Sequence, residues 1–249
     1  MPVDPDAYRH HPGLARLIID PETSGFRTFQ PADFDARMKA MGRPADWRRS
    51  QAEREATRQA ALESRRGRDI WVFAYGSLMW DPALMFSEVR RCGVEGYSRR
   101  MALYDEHGPR GSKDAPGVMA ALAPGARCDG VAFRIEADLV ERETEILWRR
   151  EMIAPAYIPV FLPAETAQGT IDVLAFVADL NAEVIRMDLS HEDQVACVAF
   201  GEGALGTSYD YLKNMLDHFA ELGIEDQGLE ALMCDVDQAR MAKAAIDRS

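Results

Sequence analysis

Two segments of the 249-residue chain hold residue types whose spacing could do chemistry. The first is the stretch 138–153, Asp-Leu-Val-Glu-Arg-Glu-Thr-Glu-Ile-Leu-Trp-Arg-Arg-Glu-Met-Ile. Val140, Thr144, Leu147, Trp148 and Glu151 follow the i, i+4, i+7, i+8, i+11 positions of one helical face, so Glu151 is the lone carboxylate in an otherwise apolar line. The positions three and four away hold Leu147, Trp148, Ala154 and Pro155, and Arg149 and Arg150 point elsewhere on the circumference, so no local ion pair is expected. A carboxyl among apolar neighbours has a raised pKa and is a better base. Spacing alone leaves a second reading open, an ordinary acid exposed where the helix frays before Pro155.

The second segment is Phe73-Ala-Tyr-Gly-Ser-Leu-Met-Trp80. An apolar strand that ends in Gly76-Ser77 turns sharply and leaves backbone N–H groups without ladder partners. Such amides suit a carboxylate or a developing oxyanion, although a purely structural turn has the same pattern. Ser77 is not expected to be a nucleophile, because Tyr-Gly-Ser-Leu-Met lacks the second glycine of a nucleophile elbow.

The elements that must position these residues fall into three stretches. Residues 1–68 are rich in Pro and charge and read as an extension, with one helix expected over 46–66. That helix carries Arg48, Arg49, Arg54, Arg58, Arg65 and Arg66, a partner surface or a solvated face packed through Trp47, Ala56 and Ala60. Residues 69–249 read as the main domain. Its strands are expected at 69–75, 100–104, 118–122, 130–135, 156–161 and 171–177, interrupted by the 138–153 helix. Beyond residue 180 the chain is helical, with Ser190 capping a helix that Gly201 stops and a second starting near Thr207 or Ser208 and ending before Gly223. The pattern is α+β.

Composition narrows the function classes. The net charge of −12 argues against nucleic acid, which rewards clustered Lys and Arg. There is no apolar run of the roughly 18 residues a membrane span needs, so no membrane insertion is expected. The opening Met1-Pro-Val-Asp-Pro-Asp lacks the regions of a signal peptide, and Cys92, Cys128, Cys197 and Cys234 are scattered, which together suggest a cytoplasmic protein with reduced thiols. The five histidines show no metal-ligand spacing, so no metal and no other cofactor is expected.

Taken in order, 71–80 (Trp-Val-Phe-Ala-Tyr-Gly-Ser-Leu-Met-Trp), 96–100 (Gly-Tyr-Ser-Arg-Arg), 147–153 (Leu-Trp-Arg-Arg-Glu-Met-Ile) and 206–212 (Gly-Thr-Ser-Tyr-Asp-Tyr-Leu) resemble the ChaC family of glutathione-specific γ-glutamylcyclotransferases, its bacterial branch above all. The resemblance covers roughly residues 70–223. It implies a small mixed β-barrel with surrounding helices. It also implies a substrate pocket floored by Tyr75, Gly76, Ser77 and Leu78, with Glu151 as the catalytic acid. By the same carry-over Tyr211 is a substrate contact, or equally a core residue of its helix, and Arg99 is a further substrate contact. The implied reaction is cyclisation of the γ-glutamyl unit of glutathione to 5-oxoproline with release of Cys-Gly, and Glu151 moves the proton. The rivals are a cyclotransferase for other γ-glutamyl amino acids or amines, and a non-catalytic regulator linked to cation transport. Ala74 and Ala154-Pro155 depart from the family pattern, which usually has Gly at the first position and small residues at the second.

Overall fold

The computed structural model describes residues 3–43 and 46–248. Five strands form a closed barrel in the order β1-β3-β2-β4-β5: β1 (Ile70–Ala74), β2 (Glu88–Asp105), β3 (Gly117–Ile135), β4 (Tyr157–Thr166) and β5 (Gly169–Ala178). β1 is antiparallel to β3 from Ile70↔Ile135 to Ala74↔Val131, and parallel to β5 at Trp71↔Val173 and Val72↔Leu174. β4 and β5 form a hairpin from Tyr157↔Ala178 to Thr166↔Gly169, where Gly169 takes φ 109°, a conformation that only glycine adopts without strain. Every residue of β1 except Trp71 is buried, as its apolar run requires of a strand flanked on both sides. The α+β class and the barrel are those expected.

The helices are α1 (Asp35–Ala40), α2 (Gln51–Leu62), α3 (Val140–Glu151), α4 (His191–Phe200), α5 (Ser208–Leu222) and α6 (Gln227–Ile246), with a short ladder of β6 (Glu202–Gly203) and β7 (Gly206–Thr207) before α5. The chain divides into two compact units. The first runs to Ser98 and includes Leu122–Asp179; the second comprises Arg99–Ala121 and the chain from Leu180 onward. The segment before β1 belongs to the first unit, together with β1, α3, β4 and β5. In the second unit the side chains of Ser190 and Thr207 cap α4 and α5 as expected, and Gly223 closes α5 at φ 61°. Among the described residues no helix is long and apolar enough to cross a membrane.

Three expectations change. The strands expected at 118–122 and 130–135 are one strand, β3, which continues through Pro124 and Gly125. Gly125 reads as a breaker but serves a close approach: a Cβ there would meet Ser98 Oγ at 2.1 Å, and that hydroxyl accepts from Ala126 N at 3.0 Å. The strand expected at 100–104 begins much earlier, at Glu88; its charged residues hide the alternation, and Gly96 takes φ 81° within it.

The third change concerns the arginine-rich helix. α2 begins at Gln51, behind a capping box of Ser50 and Glu53, and buries Arg54, Arg58 and Leu62, whereas Ala56 and Ala60 are exposed. Arg58 donates to Thr144 Oγ1 at 3.0 Å and pairs with Glu55 and Glu141 at 2.8 and 2.9 Å. Arg48 pairs with Asp35 at 2.6 Å, and Arg65 pairs with Asp172. These guanidinium groups are taken up by the chain itself.

Candidate active site

α3 forms because its apolar positions recur at helical spacing over good helix formers, and it buries Val140, Thr144, Ile146, Leu147 and Trp148. Leu147 and Trp148 are each only 1 % exposed, and burial of such side chains stabilises by roughly 1.5–3 kcal/mol apiece. Trp148 meets Phe176 of β5 edge-on at 5.2 Å and donates its indole N–H to Thr57 Oγ1 of α2 at 3.1 Å. The helix is thereby fixed in rotation, and Glu151 is its last residue.

Glu151 lies on the inward side, with its side chain 15 % exposed. Burial pushes its pKa up from the usual carboxylate value, and Arg150 beside it pulls part of the way back. The ion pair with Arg150, Nε to Oε1 at 2.9 Å, corrects the expectation that no neighbour would reach. Adjacent helical residues diverge by about 100°, but a long arginine at a helix end can fold back toward its neighbour. Nor is Glu151 the lone carboxylate on the buried side. Glu143 is fully buried two turns earlier, and Arg27 grips it with Nη1 and Nη2 at 2.7 and 3.0 Å. Burial acts to raise the pKa of Glu143 too, but Arg27, the Met85 N–H and Arg142 outweigh it and hold the carboxyl below its usual value.

The turn after β1 carries the other expected residues. Ser77–Met79 make one 3-10 turn after Gly76, closed by Met79 N to Gly76 O at 2.8 Å and Asp81 N to Ser77 O at 3.0 Å. Among the described residues, the N–H groups of Ser77 and Leu78 have no acceptor. Leu78 is buried, and Tyr75 is buried with its hydroxyl donating to Phe176 O at 2.9 Å. Arg150 joins this turn to Glu151: Nη2 donates to Ser77 Oγ at 2.8 Å and Nη1 to Asp81 O. One guanidinium thus connects the carboxylate to the turn that carries the unengaged amides, and Glu151, Ser77 and the turn come together as a group.

Arg99 and Tyr211 lie in the second compact unit, each with partners there. Arg99 pairs with Asp226 at 3.1 Å and lies over the Phe219 ring at 4.2 Å. Tyr211 is buried, and its hydroxyl accepts from Ala120 N at 3.2 Å. Sequence reasoning missed Arg150, whose adjacency to Glu151 was the available signal, and Phe26, whose ring covers Arg150 at 4.0 Å.

A partly buried carboxyl of raised pKa, linked through one guanidinium to a turn whose amides have no acceptor among the described residues, has the parts needed to move a proton and to stabilise anionic oxygen. Comparison with known proteins identifies the family. A model of the ChaC-like protein family matches residues 70–239. The chain is 35% identical over 168 residues to the glutathione-specific γ-glutamylcyclotransferase of Escherichia coli K12, covering 67% of this chain and 72% of that one. It is 30% identical over 171 residues to the glutathione-specific γ-glutamylcyclotransferase 1 of Rattus norvegicus, covering 66% and 77%. The crystal structure of a yeast γ-glutamyl cyclotransferase specific to glutathione superposes with a TM-score of 0.63 at 18% identity, over 70% of this chain and 97% of that one, a likeness of fold. On the extent of the family match and these identities, the chain belongs to the ChaC-like family.

Proposed function

We propose that the protein cleaves glutathione by intramolecular cyclisation, with Glu151 as the proton shuttle. The observation that carries the reading is the grouping of a partly buried carboxylate of raised pKa, Glu151, with the unengaged amides of Ser77 and Leu78 through Arg150. The names of the relatives support glutathione as the substrate.

The chemistry needs no external nucleophile. The α-amine of the γ-glutamyl unit attacks its own γ-carbonyl carbon, a C–N bond forms, and the amide C–N bond to cysteine breaks. The products are 5-oxoproline and Cys-Gly. The amine arrives as an ammonium ion and ends as the lactam N–H, so two protons must leave it, and the departing nitrogen of Cys-Gly must gain two to leave as an ammonium ion. Glu151 takes these protons one at a time from the attacking nitrogen and hands each to the departing one, which balances the reaction without water or a redox partner. A pKa raised by burial suits that exchange, and Arg150 opposes part of the rise. The amides of Ser77 and Leu78 are donors for charge that builds on the γ-oxygen or for the substrate α-carboxylate. Folding the substrate so that amine meets carbonyl can supply about 7–11 kcal/mol of the barrier. Arg99 and Tyr211 remain proposals as substrate contacts, with their present partners the groups a substrate would have to displace or share.

The deciding experiment incubates purified protein and Glu151→Gln with glutathione and measures 5-oxoproline and Cys-Gly. Release by the wild type and almost none by a folded Glu151→Gln is expected. Turnover at the wild-type rate by the variant would overturn the assignment of the base.

A further inference from the structure

The family match begins at residue 70, yet residues far ahead of it touch the end of α3. Phe26 lies with its ring 4.0 Å from the Arg150 guanidinium carbon. Its place is set locally: Ser24 Oγ accepts from Phe26 N at 3.2 Å, and Phe29 packs against it at 6.1 Å. The next residue, Arg27, grips Glu143, and its carbonyl accepts from Arg149 Nη2 at 2.9 Å. Residues 26 and 27 therefore hold α3 at Glu143, Arg149 and Arg150, over two turns. A second anchor lies ahead of α2. Arg49 donates through its N to Ile153 O and through Nη1 to Ala154 O, both at 2.8 Å, so it meets the chain just past the last turn of the helix. Arg49 is itself held by Arg54, whose Nη1 donates to its carbonyl at 2.6 Å.

A proton shuttle on the last residue of a helix has a positional difficulty. The final carbonyls lack intrahelical donors, helix ends fray, and small misplacement of a reacting group is costly. Cations at a helix C-terminus also interact favourably with its dipole. We propose that Phe26 and Arg49 of the N-terminal segment are positioning residues for the reaction: Phe26 holds the Arg150 guanidinium against Glu151 and Ser77, and Arg49 fixes the backbone that follows Glu151. This rests on Glu151 being the proton shuttle. Phe26 closes one face of the guanidinium while Glu151, Ser77 and the Asp81 carbonyl take up its edge donors.

The test compares the full-length protein with Phe26→Ala, Phe26→Leu, Phe26→Trp and Arg49→Met, by kcat, KM and the pH profile of kcat/KM on glutathione and by thermal midpoint. The charged group facing Glu151 is Arg150; Arg149 turns to the Arg27 carbonyl, Arg27 to Glu143, and Arg49 to Ile153 and Ala154. Losing the ring loosens Arg150, so the acid limb of the profile is expected to move to higher pH. We expect Phe26→Ala and Arg49→Met to lower kcat by about tenfold, with KM changed less than about twofold. Phe26→Trp restores kcat and the limb, whereas Phe26→Leu keeps the midpoint near wild type and still shows the shifted limb. Wild-type kcat and limb in Phe26→Ala, or full restoration by Phe26→Leu, would overturn the inference while Glu151→Gln stays inactive. An active Glu151→Gln would instead remove the reading on which it rests.

Discussion

Glu143 and Glu151 stand two turns apart on the same helix, both on its buried side, and their environments push them in opposite directions. Glu143 has no exposed side-chain surface and is surrounded by donors: two from Arg27, one from the Met85 N–H and one from Arg142. Its ionised form is therefore favoured and its pKa held down. Glu151 is slightly more exposed, has Arg150 as its charged partner, and is pushed up. Burial alone raises both. The number of donors around the carboxylate decides whether it is fixed as an anion that binds the N-terminal segment to α3, or left able to exchange a proton.

The same chemical change at the two positions should therefore have unlike consequences. Glu151→Gln removes the proton-carrying group while keeping a side chain that can still accept from Arg150. A loss of about 10²–10⁴-fold in 5-oxoproline formation is expected, the usual contribution of general acid–base catalysis, with an intact circular dichroism spectrum. Activity within tenfold of wild type would erase the functional side of the comparison.

Glu143→Gln leaves Arg27, whose side chain is 16 % exposed, without its counter-charge. Breaking a buried pair from one side costs about 3 kcal/mol, and for a chain of this size that lowers Tm by roughly 6–12 °C. Turnover per folded molecule is expected to stay within a few-fold of wild type at a temperature well below the transition. A Tm equal to wild type would show that Glu143 is as weakly held as Glu151.

The pH dependence of these two stability differences should have opposite signs. The folded pKa of Glu143 is depressed, so its contribution is present above the ordinary carboxylate value of 4.5 and is lost as pH falls through the depressed value. The folded pKa of Glu151 is raised, so its ionised form opposes folding. That cost is absent below 4.5 and grows as pH climbs through the raised value. Tm of Glu151→Gln should thus match or exceed wild type near neutrality and lose that advantage in acid, whereas Glu143→Gln should be worst near neutrality. Thermal melts from pH 3 to 8 would check both, and parallel curves would refute the contrast.

How much of this was legible in the sequence follows from the range of the interactions. The helical face that turns Glu151 inward is a local periodicity, and the turn at Gly76-Ser77 is a local glycine signal, so both were readable. Glu143 was not, because its partner Arg27 is 116 residues away and a charged side chain in a helix counts as outward until that partner is known. Arg58 faces inward on α2 for the same reason, since Thr144 and Glu141 await it there. Helical spacing does not reveal the Arg150–Glu151 pair, because neighbouring residues on a helix diverge, a rule that weakens for a long side chain at the last turn.

The smallest effect expected tests how far the contact between the turn and Glu151 reaches. Sequence alone assigned the importance of Ser77 to its backbone, but its hydroxyl accepts from Arg150 Nη2 at 2.8 Å. Ser77→Ala removes that acceptor and keeps the amide. Arg150 retains Glu151, the Asp81 carbonyl and the Phe26 ring, so it should shift little. A hydrogen bond to a charged group is worth about 1.5–3 kcal/mol, but only the part that differs between bound substrate and transition state reaches kcat. We therefore expect a drop in kcat of no more than about tenfold, well short of the loss in Glu151→Gln. The acid limb should move slightly, because Glu151 keeps its ion pair. A loss equal to that of Glu151→Gln would mean that the hydroxyl takes part in the chemistry directly, and that the donors of the turn are more than its amides.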